Sequence, residues 1–198
     1  HGILFLSTLH TRYPLYVTPR SFHYEEYFDW QRRFIGCVSD KLRGKIRSRL
    51  HIKDDGIEIE ERWKECIPDI QIEYWNIPFV ESLENCRLSV FDHLSTTFFQ
   101  ALALDKPCII FWNPDHFPIR DEVKPHYEKL RDAGILYFKP EDAAKALNRY
   151  YDDVEAWWNH INTRSAINMF RSRFARTASN AVNAWRREIE KIDSFEYQ

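Results

Sequence analysis

Short apolar runs with no helical period alternate along this chain with longer stretches in which apolar residues recur every three to four positions. The first run, ILFLSTL at 3–9, predicts a buried strand, and the polar, proline-bearing HTRYPLYVTPR after it a long loop. From 25 to 42, Tyr27, Trp30, Phe34 and Val38 fall at helical spacing among charged residues, which predicts one helix. KIRSRLHI at 45–52 alternates as a strand does. Ile46, Ser48, Leu50 and Ile52 take one side and Arg47, Arg49 and His51 the other, before DDG ends the strand. GIEIEERWKECIP then holds a helix closed by Pro68, and IQIEYW a brief strand.

The stretch RLSVFDHLSTTFFQALALDKPCIIFWN at 87–113 reads as strand, helix, strand. Ser95 stands at the helix N-cap, and Pro107 stops any continuation. KPHYEKLRDAG predicts a helix with a glycine stop, ILYF a last strand, and KPEDAAKALNRYY and DVEAWWNHIN two more helices. Adjacent helical residues diverge by about 100°. One of Trp157 and Trp158 is therefore expected in the core and the other against a neighbouring helix or a further domain. The remainder predicts one long amphipathic helix or two shorter ones, with Ile167, Phe170, Phe174 and Ala178 as a packing stripe. Strands alternating with helices predict an α/β fold, a Rossmann-like parallel sheet covered by helices on both faces. The expected division is a Rossmann-like domain over 1–160 and a helical extension over 161–198.

Composition narrows the class without changing the fold. At 198 residues and 44% hydrophobic content the chain can bury a sizeable core. Its 28 basic residues are dispersed among 30 acidic ones, so no general nucleic-acid surface is expected. No apolar run approaches the roughly 20 residues that cross a bilayer, and the expected location is cytoplasmic. The start HGILFLSTLH lacks an initiator Met and enters an apolar strand at once, which suggests a piece with something upstream. Cys37, Cys66, Cys86 and Cys108 are widely spaced, with no CxxC or HxxxH pair, and read as reduced core thiols.

In open parallel sheets ligands bind beyond the carboxyl ends of the strands, and the polar clusters fall there. In FDHLSTTFFQAL, the hydroxyls of Ser95, Thr96 and Thr97 stand at a helix N-terminus, whose free N–H groups and dipole suit phosphate, while Asp92 and His93 orient the loop or meet the ligand. The ordinary alternative is an N-cap and a turn. Arg49 and His51 share one strand face, as does Arg47, offering a planar fork and a proton donor or shuttle, or only solvated polar groups on an edge strand. Thr8, His10 and Arg12 follow the first strand. In the proline-rich loop FWNPDHFPIRDEVKPHY, Trp112 would stack on a base or sugar and Asn113 and His116 contact it, unless the loop is only a stiff connection.

The segment FDHLSTTFFQALALDKPCIIF resembles the nucleotide-binding C-terminal half of GT-B glycosyltransferases, with its strand, hydroxyl-rich turn, helix and following strand. RSRLHI, GILYFKPEDAAKALN and DVEAWWNHINTRSAINMFRSRFA extend the likeness to transferases of O-antigen and surface-polysaccharide synthesis. Three positions depart from the pattern: Gln100 replaces the usual acidic residue, Asp105 the common glycine, and Ile52 follows His51 where the related glycerophosphotransferases have proline. The resemblance implies a donor-binding half that holds a nucleotide-activated donor, with Thr8, His10 and Arg12 near the leaving diphosphate. It implies no cofactor and no obligate metal, and places the acceptor site and general base on an N-terminal domain outside this chain. The acceptor would be a glycan or a lipid-linked one, the latter bringing the protein to the inner membrane's cytoplasmic face. A glycerophosphotransferase or nucleotide-sugar epimerase would share the half-fold. So would a non-catalytic interaction module.

Overall fold

The computed structural model describes residues 2–8, 24–52, 56–68 and 70–193. His10 and Arg12 lie outside them. The strands are β1 (Gly2–Leu6), β2 (Ile46–Arg49), β3 (Gln71–Ile72), β4 (Cys86–Phe91), β5 (Cys108–Phe111) and β6 (Leu136–Tyr137). The helices are α1 (Tyr24–Cys37), α2 (Asp40–Arg43), α3 (Ile59–Cys66), α4 (Phe79–Glu84), α5 (Thr96–Ala103), α6 (Lys124–Asp132), α7 (Pro140–Tyr150), α8 (Val154–Trp158), α9 (Ile161–Phe174) and α10 (Ala181–Asp193).

All six strands are parallel, in the order β3-β2-β1-β4-β5-β6. This is the Rossmann-like α/β sheet that the alternation predicts. Ile3, Leu4, Phe5, Leu88, Val90 and Phe91 are fully buried because helices cover both sides. On one side Phe5 meets Phe34 of α1 and Trp63 of α3, and Phe34 stacks on Phe111 at 5.0 Å. On the other, Phe91 packs edge-on to Phe98 of α5, which meets Phe170 of α9.

Several local expectations change. The helix expected over 25–42 breaks at Ser39, whose backbone is extended. Asn148 of α7 clamps the break: its side chain accepts from the Ser39 N–H and donates to the Cys37 carbonyl. The six-residue α4 has no counterpart in the pattern reading, being too short to show a period. The chain's end forms two helices. Ile167 and Phe170 of α9 are buried, but Ala178 lies exposed beyond it, and Ala175 is buried instead. Helix α9 thus belongs to the layer over the sheet, while Val182, Trp185, Ile189 and Ile192 of α10 are exposed.

Trp157 and Trp158 are both buried, and Trp157 lies against a neighbouring helix, α7, as expected of one of the two. Helix α8 is a single short turn enclosed on both sides. The Trp157 ring stacks on Tyr150 at 4.5 Å and its N–H donates to the Ala133 carbonyl, while the Trp158 N–H donates to Asp105. Asp105 holds a left-handed backbone at φ 56°, one residue past the C-cap of α5. Lys106 N–H returns to the Ala101 carbonyl and Asp105 N–H to that of Leu102, closing a Schellman end where glycine is the ordinary choice. Here the carboxylate takes Trp158 and Arg164, tying α8 and α9 to α5. Glycine does hold the equivalent place after α6. Gly134 has φ 73°, and a Cβ there would stand 2.9 Å from the Tyr150 hydroxyl.

Of the cysteines, Cys108 is buried, Cys86 half-buried, and Cys37 and Cys66 exposed, so the expectation of core thiols holds for one position only. Among the described residues no helix is long and apolar enough to cross a membrane.

Candidate functional site

Strand order reverses between β1 and β4, and register brings the strand ends level: Leu6 pairs with Arg49 on one side and Phe91 on the other. The residues after these ends, Ser7 and Thr8, Leu50 and His51, and Asp92 and His93, therefore share the carboxyl edge where the sheet's topological switch opens a crevice.

At the switch point Asp92 is buried, 4% exposed. Its Oδ2 accepts from the Tyr27 hydroxyl at 2.7 Å and the Gln31 amide at 2.5 Å, both from α1. Oδ1 lies 2.7 Å from Nδ1 of His93. The Thr8 N–H donates to the Tyr27 oxygen at 3.0 Å, joining the end of β1 to the same cluster. Asp92 thus spends both oxygens on protein donors and is an internal anchor instead of a ligand group. Ser95 sits at the N-cap of α5 in extended backbone, yet its hydroxyl makes no capping bond and meets that of Thr97 at 2.7 Å. The α5 N–H groups are left without that side-chain cap, beside two linked hydroxyls and Thr96 at the first helical position.

A buried ion pair forms at the end of β2. Arg49, 4% exposed, donates from Nη1 to Glu73 at 2.8 Å and to the Ser82 hydroxyl of α4 at 3.0 Å, and its guanidinium lies 4.8 Å from the Trp75 ring centroid. Arg47 reaches the other oxygen of Glu73 at 3.3 Å. Arg49 is therefore committed to the fold and not presented to a phosphate. His51 meets the Trp75 ring edge-on at 5.8 Å, and both line a cleft of about 550 Å³ with Tyr74, Glu60 and Glu61. Tyr74 and Trp75 are 57% and 47% exposed. The Trp75 ring is fixed by its N–H to the Leu50 carbonyl at 2.7 Å.

These strand ends lie in a chain whose family is recognisable, for a model described as LIC12162 family transferase matches residues 1–189. The chain belongs to this transferase family. No curated protein matches it.

Within this transferase fold the remaining expected site residues divide. Trp112 is 1% exposed, its ring enclosed edge-on by Tyr127 and Phe138 and its N–H given to the Phe117 carbonyl, so it is a core residue and offers no face to a base. Asn113 and His116 both turn to Glu26 of α1, at 3.1 and 3.2 Å, and fasten the loop after β5 to that helix. Thr8, His93, Ser95, Thr96 and Thr97 gather at the switch point, with His51 one strand further out. Sequence reasoning missed Trp75, Tyr74, Tyr27, Gln31 and Glu73. The one available signal was YWN directly after a strand, two large aromatics where the chain must leave the sheet. Among the described residues no group of three His, Cys, Asp or Glu is placed to hold a metal ion.

Proposed function

We propose that this transferase chain binds a nucleotide-activated donor across the carboxyl edge of the sheet, as the donor half of a GT-B-like glycosyltransferase of bacterial surface-polysaccharide or O-antigen synthesis. The observation that carries the reading is the uncapped N-terminus of α5, with the hydroxyls of Ser95, Thr96 and Thr97, at the topological switch between β1 and β4. Free amides and hydroxyls there suit a diphosphate, and their fixed dipoles would stabilise the charge that grows on it as the transferred group departs. No metal is needed for that step. The nucleoside would lie toward β2 and β3. Trp75 supplies a stacking surface there, and Glu61, beside it in the cleft, a carboxylate that would accept from ribose hydroxyls.

In this reading the protein works in the cytoplasm, and a glycan or lipid-linked acceptor brings its hydroxyl to the donor crevice. The test is calorimetric titration of the chain with UDP, CDP and GDP and their monophosphates. One base is expected to bind saturably as the diphosphate, with Thr96→Ala and Trp75→Ala each weakening it about tenfold, the effect of losing roughly 1.4 kcal/mol. Arg49→Ala should not act through the site; any loss should track stability. Absence of saturable binding by every nucleotide would sink the donor reading.

A further inference from the structure

The Asp92 carboxylate has the surroundings of a fixed anion. Burial first, and then the neighbouring carboxylate, push the Tyr27 phenol well above its ordinary value, so its proton stays in place to donate to Asp92. Gln31 adds an amide N–H on the same oxygen. An ionised carboxylate can only accept. The contact between Oδ1 and Nδ1 of His93 therefore requires the proton on Nδ1. In the neutral ring this leaves the lone pair on Nε2. That nitrogen has no hydrogen-bond partner among the described residues, on a side chain 9% exposed and two residues ahead of the α5 hydroxyl pair. A carboxylate that fixes the tautomer of a histidine and leaves its far nitrogen without a protein partner is the arrangement of a general base.

We propose that His93 is the proton acceptor of the transfer reaction and that Asp92, locked by Tyr27 and Gln31, is its positioning residue. Nε2 takes the proton of the acceptor hydroxyl as that oxygen bonds to the transferred group. The bond from this group to the diphosphate breaks, its electron pair staying on the diphosphate oxygen, and Asp92 balances the imidazolium. The proposal rests on the donor reading above, and it puts the base on this chain instead of on an acceptor domain.

The experiment is nitrogen-15 NMR of the imidazole groups in the whole chain, with diethyl pyrocarbonate modification followed by peptide mapping. The expected result, at a pH where the ring is neutral, is a proton on Nδ1 of His93 and a bare Nε2. Asp92→Asn should lose that fixed tautomer and slow modification of His93 about tenfold, and Tyr27→Phe should do so by a smaller factor. A proton on Nε2 in the unaltered chain overturns the proposal, and this arm needs no variant that might unfold. A tautomer and rate unchanged in both variants overturns it too. Titration with UDP, CDP and GDP separates it from the donor reading. His93→Gln is expected to bind within twofold of the parent, whereas a tenfold loss would make His93 a phosphate ligand and overturn the proposal. If no nucleotide binds while the tautomer is as expected, the donor reading fails and takes the transfer step with it, and only the Asp92–His93 tautomer lock stands.

Discussion

The ends of β2 and β4 carry similar residue types, a charged side chain with a histidine close behind, and use them on the same plan with opposite signs. At β2 a cation, Arg49, is sunk beneath Trp75 and matched by the anion Glu73. At β4 an anion, Asp92, is sunk beneath α1 and matched by the neutral donors of Tyr27 and Gln31 as well as by His93. In both places the formal charge is an internal anchor with a histidine close beyond it, and His51 lines the cleft. The difference lies in what the anchor depends on. A buried ion pair fails badly if either member goes, because the survivor is an uncompensated charge, whereas a carboxylate held by separate dipoles can lose one and keep the others.

The largest effect should therefore come from the β2 side. Glu73→Leu leaves Arg49 buried without its counter-ion and is expected to cost about 3–5 kcal/mol in urea denaturation, while Arg49→Met combined with Glu73→Leu should recover most of it. A single variant within 1 kcal/mol of the parent, on the order of an exposed pair, would end the description of Arg49 as an anchor. Asp92→Asn should cost about 2 kcal/mol, since the amide cannot accept from every donor around it. Tyr27→Phe removes one donor and should cost about 1 kcal/mol by the same measurement. A Tyr27 loss as large as that of Glu73 would erase the contrast between the two strand ends.

Asp105 supplies the smallest effect and a sign. Burial works to raise its pKa, but the Arg164 and Trp158 hydrogen bonds outweigh it, and the carboxyl sits below its ordinary value. A depressed folded value means stabilisation that is complete above the unfolded value of about 3.9 and lost as pH falls through the folded one. Because the side chain is 41% exposed, solvent screening keeps this to less than about 1 kcal/mol. Asp105→Asn should make the fall of the urea midpoint below about pH 4 shallower than in the parent. A steeper fall would reverse the assigned sign.

Much of the fold was legible because strands buried on both faces read as unbroken apolar runs, as LSVF and CIIF do, and the helices between them keep their period. The placing of the Ser95, Thr96 and Thr97 hydroxyls was legible for a related reason, since hydroxyls clustered between two such runs fall at a strand end by topology alone. The roles of Arg49, Asp92 and Trp112 were not legible. A charged residue near a strand end looks the same in sequence whether it faces a ligand or a partner such as Glu73, which lies 24 positions away. Trp112 and Trp75 both follow strands, yet α6 and the loop after β5 enclose the first, while the second stands at the sheet's far edge. Which neighbour each of Trp157 and Trp158 would meet was not legible, because helical periodicity describes one helix against one surface and α8 has a partner on each side.

By itself the sequence determined the α/β class, the succession of most strands and helices, and the placing of hydroxyls and histidines at strand ends, because these follow from local periodicity and from where polar residues interrupt apolar ones. Tertiary structure alone decided the strand order that opens the crevice beside β4, the pairing of Arg49 with Glu73, and the set of Tyr27, Gln31 and Asp92 behind His93. Those arrangements join side chains 24 to 65 positions apart, and the free energy of burying a charge is settled by which groups the folded chain brings to meet it.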